Sequence, residues 1–224
     1  MLVGDVDDVL DRPFGPDLPN MRQWAREHFK FSGYTYHFDP REFEDRARLR
    51  HELGYRSGER VILVSVGGTR AGKNLLRKCA EAFAIARPQL GDTRMILVAG
   101  PRLDAGDLPR IPGLEVHAFV PHLFRHHAAA DLAIVQGGLT TTMELAALRT
   151  PFLYFPLRNH FEQRFFVTLR LDRLGAGVRM EYDETSPEAL GARLVEHLGK
   201  PTTWGEVPRD GTDRAARMLA DLLG

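Results

Sequence analysis

Cysteine is almost missing from these 224 residues: Cys79 stands alone, which excludes an internal disulfide and fits a reducing cytosol. Long apolar runs are missing as well. None approaches the roughly 20 residues that cross a bilayer, and the opening MLVGDVDDVLDRPFG is acidic where a secretory signal is basic and then apolar. Thirty basic residues balance thirty acidic ones, so net charge provides no pull towards nucleic acid or an anionic membrane. No internal repeat or low-complexity tract is present. What remains is a chain with 43% hydrophobic residues, enough for a sizeable core, and the expected location is the cytoplasm.

Prolines and glycines break up the first twenty residues, before a short helical pattern carrying Trp24 and Phe29. Phe31 to Phe38 alternates aromatic and polar residues and reads as a strand; Asp39-Pro40 starts a helix expected to reach Leu53. From VILVSV (61–66) onward the rhythm is strand, helix, strand. Further strands are expected at 95–99, 114–120, 132–135, 152–155 and 178–180. The helices between and after them are expected at 73–87, 121–130, 141–148, 161–174, 187–198 and 212–223. Mostly apolar strands separated by helices give an α/β fold, a doubly wound parallel sheet covered on both faces. Such a sheet binds its ligand at the carboxyl ends of its strands.

The segment DLAIVQGGLTTTMELAALRTPFLYFPLRNHFEQ (131–163) dominates that rim. An apolar strand ends at Gln136-Gly137-Gly138 and a helix follows, which aims free first-turn amides and the positive end of the helix dipole at one point. Phosphate binds such points. Thr141 and Glu144 also fit a capping box, in which the pair satisfies the helix's own amides. Gly67 to Lys73, GGTRAGK, matches the phosphate-cradling pattern of nucleotide hydrolases up to its last position, where Asn74 replaces the hydroxyl that holds magnesium. A tight strand-to-helix turn explains those glycines equally simply. A polar cluster at Asn159, His160, Glu162 and Gln163 suits hydroxyl groups, so a diphosphate with a polyhydroxylated neighbour describes a nucleotide sugar. His122, His126 and His127 have no further ligand at a supporting spacing, and a half-exposed helix face is the expected role; no metal and no cofactor is implied.

The run FVPHLFRHHAAADLAIVQGGLTTTMELAALRTPFLYFPLRNHFEQ resembles the donor-binding half of the GT-B glycosyltransferases, nearest the family 28 C-terminal domain, and is similar to the signature of UDP-glycosyltransferases. The resemblance covers roughly 58–200. It implies a Rossmann-like domain at 58–224, with 1–57 the remnant of an N-terminal acceptor domain and its connector. It implies that Phe119 and Val120 meet the base and that Gly138, Leu139, Thr140 and Thr141 cradle the diphosphate. Glu144 would bond the ribose and Glu162 and Gln163 the sugar, with His160 beside them, while the loop Gly67, Gly68, Thr69 closes over the phosphates. Gln136 takes the place of a histidine in plant members, and Arg70 and Arg102 are candidate charges for the leaving diphosphate.

The implied activity is hexosyl transfer from a nucleoside diphosphate sugar, UDP-linked, to an acceptor hydroxyl. The catalytic base is expected on an N-terminal domain outside this sequence. A split enzyme with a membrane-associated acceptor chain, a truncation and a gene start assigned too late all give such a chain, as does a non-catalytic nucleotide-sugar binding subunit; a P-loop hydrolase is the remaining rival.

Overall fold

A computed structural model describes residues 3–66, 70–100 and 111–223, the side chains of Arg70 and Ala71 excepted. Its centre is a sheet of six parallel strands among those residues: β1 (Arg60–Ser65), β2 (Thr93–Val98), β3 (Leu114–His117), β4 (Leu132–Gln136), β5 (Phe152–Phe155) and β6 (Val178–Arg179). The order is β3-β2-β1-β4-β5-β6. In β4 and β5 every residue is buried, as expected of strands covered on both faces.

Alternation along the strands divides the core in two. Ile62, Val64, Leu132, Ile134, Leu153 and Phe155 face one side, where they pack with Leu76, Cys79 and Phe83 of α3 (Arg70–Leu90) and Leu190 and Leu194 of α7 (Pro187–His197). Burial on that face pushes the Cys79 thiol far above its ordinary pKa, so it is an inert core residue. On the other side Ala133, Val135, Phe152 and Tyr154 meet α5 (Leu139–Ala147) and α6 (Thr168–Leu174), while Val61, Leu63, Ile96 and Val98 meet α4 (Leu123–Ala129). The N-terminal segment completes this second layer: Tyr34 and Tyr36 join the first of those clusters, and Leu49 and Tyr55 join the other.

Several expected elements differ. Phe31 to Phe38 is not a strand; an isolated antiparallel bridge joins Gly33 to Gly4, and the aromatic alternation comes from Tyr34 and Tyr36 turning inward, with no neighbouring strand to pair among the described residues. The Asp39–Leu53 helix is two pieces. Asp39 caps a 3-10 turn at Pro40–Phe43, and Asp45 then caps α2 (Arg46–Glu52), accepting from Arg48 N–H at 3.0 Å, which requires a non-helical backbone at Asp45 itself. β3 stops at His117, short of Val120. The last rim helix opens as a π-helix at Glu162–Val167, which runs into α6. The sequence closes with α8 (Gly211–Leu223), after α1 (Met21–His28) near its start.

Candidate functional site at the carboxyl edge

The carboxyl ends of β1 and β4 open onto a cleft of about 280 Å³, lined by Ser65, Val66, Gln136, Gly138, Thr141 and Gln163 among others. Gln136 also borders a second hollow of about 430 Å³ that runs past Pro156 and Leu157 to Asn74 on α3 and to Tyr182 beyond β6. The second hollow is walled by paired charges, Arg164 with Glu181 at 2.7 Å and Arg158 with Asp183 at 3.5 Å. The larger hollow falls within the range of small-molecule sites, roughly 300–1,000 Å³, and the first cleft lies just below it.

α5 starts at the first cleft, which Gly138 and Thr141 line. Its N-cap is Gly138, with extended backbone and no capping side chain. Elsewhere Asp5, Asn20, Asp39, Asp45 and Ser186 each cap a helix or helical turn with a side-chain oxygen. The two glycines before α5 differ in kind. A Cβ on Gly137 would stand 3.0 Å from Pro156 Cα, so that residue is small because the ends of β4 and β5 touch there. A Cβ on Gly138 would meet nothing within 4 Å, so no protein contact demands a glycine there, and the first turn of α5 has no side-chain cap beside the cleft that Gly138 and Thr141 line. The capping box does not form: Thr141 is already the third helical residue, and the Glu144 carboxylate bonds elsewhere. Of the three threonines, Thr142 turns its hydroxyl inward to Gly138 O at 2.9 Å, Thr141 lines the cleft and Thr140 is exposed.

Gln163 is buried, and its Oε1 accepts from Leu157 N–H at 2.9 Å, so its amide N–H groups are what it can offer the cleft. His160 is exposed and takes the Gln163 N–H on Nδ1 at 3.5 Å, closing the first turn of the π-helix. Glu162 is exposed and lines neither hollow. Phe119 is 76% exposed and lines neither hollow, whereas Val120 packs against the core cluster that holds α4. Glu144 lies one helical turn beyond Thr141, buried, with His37 Nδ1 at 3.1 Å from its Oε1. Burial raises the Glu144 pKa and the His37 contact pulls it back. Gly67, Gly68, Thr69 and Arg102 lie outside the described residues, as does the Arg70 side chain.

Two contributors carry no signal in the sequence. His37 belongs to the stretch read as a strand. His127 is fully buried in α4 with Nε2 at 3.1 Å from Ser65 Oγ on the cleft floor, and burial lowers its pKa to about 3, so the ring is neutral at any working pH. Only the break that Ser65 makes in VILVSV hints at this pair. The expected half-exposed helix face holds for His126, whose Nδ1 is 2.8 Å from the Tyr55 hydroxyl; His122 is exposed but precedes α4 with φ +49°, and His127 is interior. Among the described residues no group of three or more His, Cys, Asp or Glu could hold a metal ion.

Residues 61–218, from β1 into α8, match the family model described as the glycosyltransferase family 28 C-terminal domain. This chain belongs to that family. An uncharacterised glycosyltransferase of Methanopyrus kandleri is 30% identical over 190 residues, covering 82% of this chain and 52% of the relative. The UDP-N-acetylglucosamine–N-acetylmuramyl-(pentapeptide) pyrophosphoryl-undecaprenol N-acetylglucosamine transferase of Mycolicibacterium vanbaalenii is 31% identical over 185 residues, 79% of this chain and 45% of that one. Among solved structures, a glycotransferase of kitacinnamycin superposes with a TM-score of 0.54 at 26% identity, covering 75% of this chain and 40% of that one. The chain thus spans about half the length of the curated relatives it matches. The family 28 match contains all six strands and every lining residue named above; His37 and the rest of the N-terminal layer precede it.

Proposed function

We propose that this chain is the donor half of a glycosyltransferase and binds a nucleoside diphosphate sugar, UDP-linked, across the carboxyl edge of its sheet. The observation that carries this reading is the uncapped start of α5, where Gly138, which no protein contact requires to be glycine, lines the cleft together with Thr141. On this reading the diphosphate lies against Gly138, Leu139, Thr140 and Thr141, with the base towards Phe119 and Val120 and the ribose towards Glu144. The transferring sugar reaches Gln136 and Gln163, with His160 and Glu162 at the outer edge. The reaction is displacement at the anomeric carbon: the bond from C1 to the diphosphate oxygen breaks, a bond to the acceptor oxygen forms, and the acceptor proton passes to a base. The amides and dipole of α5 stabilise the charge that builds on the departing diphosphate, which removes the need for a metal in the transfer.

The base and the acceptor site are assigned to a second domain, supplied by residues beyond this sequence or by a separate acceptor chain. A membrane-associated partner of that kind would hold this chain at a membrane surface from the cytoplasm, since among the described residues no helix is long and apolar enough to cross one. The test is thermal denaturation with UDP, with and without a magnesium chelator. At about 100 times its Kd a ligand specific for the folded state adds ~2.7 kcal/mol, which for a chain of this size is a rise in Tm of roughly 5–10 °C. The rise should survive chelation. Stabilisation by ATP that needs magnesium, with none by UDP, would instead favour a nucleotide hydrolase.

A further inference from the structure

His37 lies outside the family 28 match, on the chain between Gly33 and Asp39, yet its ring meets Glu144, the residue assigned above to the ribose. Its position is fixed on two sides: the ring stands edge-on to Phe38 at 5.0 Å and to Phe124 of α4 at 4.9 Å, and those two phenyl rings stack on each other at 4.5 Å. Nδ1 lies 3.1 Å from Glu144 Oε1, and among the described residues no other group pairs with that carboxylate. One oxygen is engaged and Oε2 is left over. Resting on the donor-site reading above, we propose that His37 is a positioning residue whose Nδ1–H holds Glu144 Oε1 so that Oε2 faces the cleft and accepts from the ribose hydroxyls.

The chemistry suits the task. A neutral imidazole protonated on Nδ1 donates one directed hydrogen bond, and a carboxylate fixed before the ligand arrives loses less rotamer freedom on binding than a free one. The opposite role, a ring occupying the place of the ribose and leaving when donor enters, uses the same contact but has the opposite sign. Removing a positioning group weakens binding; removing a plug tightens it.

The experiment is calorimetric titration of the full chain with UDP and with 2′,3′-dideoxy-UDP, for wild type, His37→Ala, His37→Asn, Glu144→Ala and the double variant His37→Ala with Glu144→Ala. His37→Ala should weaken UDP about three- to tenfold, the scale of one hydrogen bond, and leave the dideoxy analogue nearly unchanged. His37→Asn, whose amide N–H reaches the place of Nδ1–H, should bind UDP close to wild type. The double variant should be no weaker than Glu144→Ala, because the two residues act through one contact. Tighter UDP binding by His37→Ala, an equal loss for both nucleotides, or losses that add in the double variant would each overturn the assignment. If wild type binds none of UDP, dTDP and GDP, the donor-site reading falls and the role of His37 with it; binding by wild type with no effect of His37→Ala sinks the role of His37 alone.

Discussion

At Glu144 a single carboxylate is under opposed demands. Binding a ribose requires it ionised, while burial favours its protonated form and raises its pKa above the ordinary value. The sign follows from linkage. A folded state that holds a proton more tightly than the unfolded chain gains stability below the unfolded pKa, and loses that gain as pH rises through the raised folded value. At neutral pH the ionised group is therefore a cost. Glu144→Gln keeps an acceptor for His37 Nδ1–H and removes the charge. We expect its Tm to exceed that of wild type near pH 7.5 and the gap to close as pH approaches the ordinary glutamate value of 4.5, while UDP binding weakens. Thermal scans across that range, with a UDP titration at the upper end, check both halves; a gap that does not change with pH would show that charge is not the cause. At this scale the residues of the cleft were legible wherever chemistry follows spacing, as for Gly138, Thr141 and Gln163. His37 and the Ser65–His127 pair were not, because a partner brought close only by folding leaves no mark on spacing.

On the proposed reading, the start of α5 serves the ligand at the expense of the helix's own stability. A glycine N-cap forgoes the side-chain oxygen that caps Asp5, Asn20, Asp39, Asp45 and Ser186 supply elsewhere. Gly138→Asp should then separate stability from binding. Its backbone, φ −71° and ψ 134°, accepts an aspartate, and there is open space for the side chain. The new carboxylate can take a first-turn amide and gain a few tenths of a kcal/mol over glycine, so Tm should hold or rise slightly. The same carboxylate stands where the diphosphate is assigned and repels it, so the rise in Tm with UDP should vanish. A Gly138→Asp chain that still responds to UDP would move the diphosphate away from α5. The other elements show what sequence pattern carries. Strands buried on both faces were legible as continuous apolar runs, and the helices between them as 3.6-residue stripes. The elements misplaced were those whose limits depend on local caps or on a missing neighbour: the helix split by Asp45, and the aromatic stretch at 31–38 that turns into the core instead of pairing.

Across the whole molecule, the question is how the segment before β1 is joined to the family 28 domain. The answer centres on Asp8. It is 6% exposed, and its carboxylate meets Arg173 at 2.7 Å, the Tyr34 hydroxyl at 3.0 Å from both oxygens, and Arg170 Nε at 3.0 Å, outside hydrogen-bond geometry. Arg170 also lies over the Tyr34 ring at 5.0 Å. One acid thus ties the first turn of the chain and the stretch leading to His37 onto α6. Asp8→Ala leaves the nearly buried Arg170 without its counter-charge, a change that costs on the order of 3 kcal/mol. The two tryptophans allow the joint itself to be followed, since Trp24 sits on α1 in the segment and Trp204 packs in the core beside Phe152. In urea, fluorescence of Trp24→Phe and of Trp204→Phe should report coincident transitions, because Tyr34 and Tyr36 share a core cluster with Ala133 and Val135 and the segment cannot leave without opening it. Adding Asp8→Ala should lower both midpoints, bring the Trp24 signal ahead of the Trp204 signal, and weaken UDP by loosening the chain that carries His37. Separate transitions in the parent chain would mean that the segment rests on the domain without being part of its cooperative unit, and the placement of His37 against Glu144 would then have to be maintained by Phe38 and Phe124 alone.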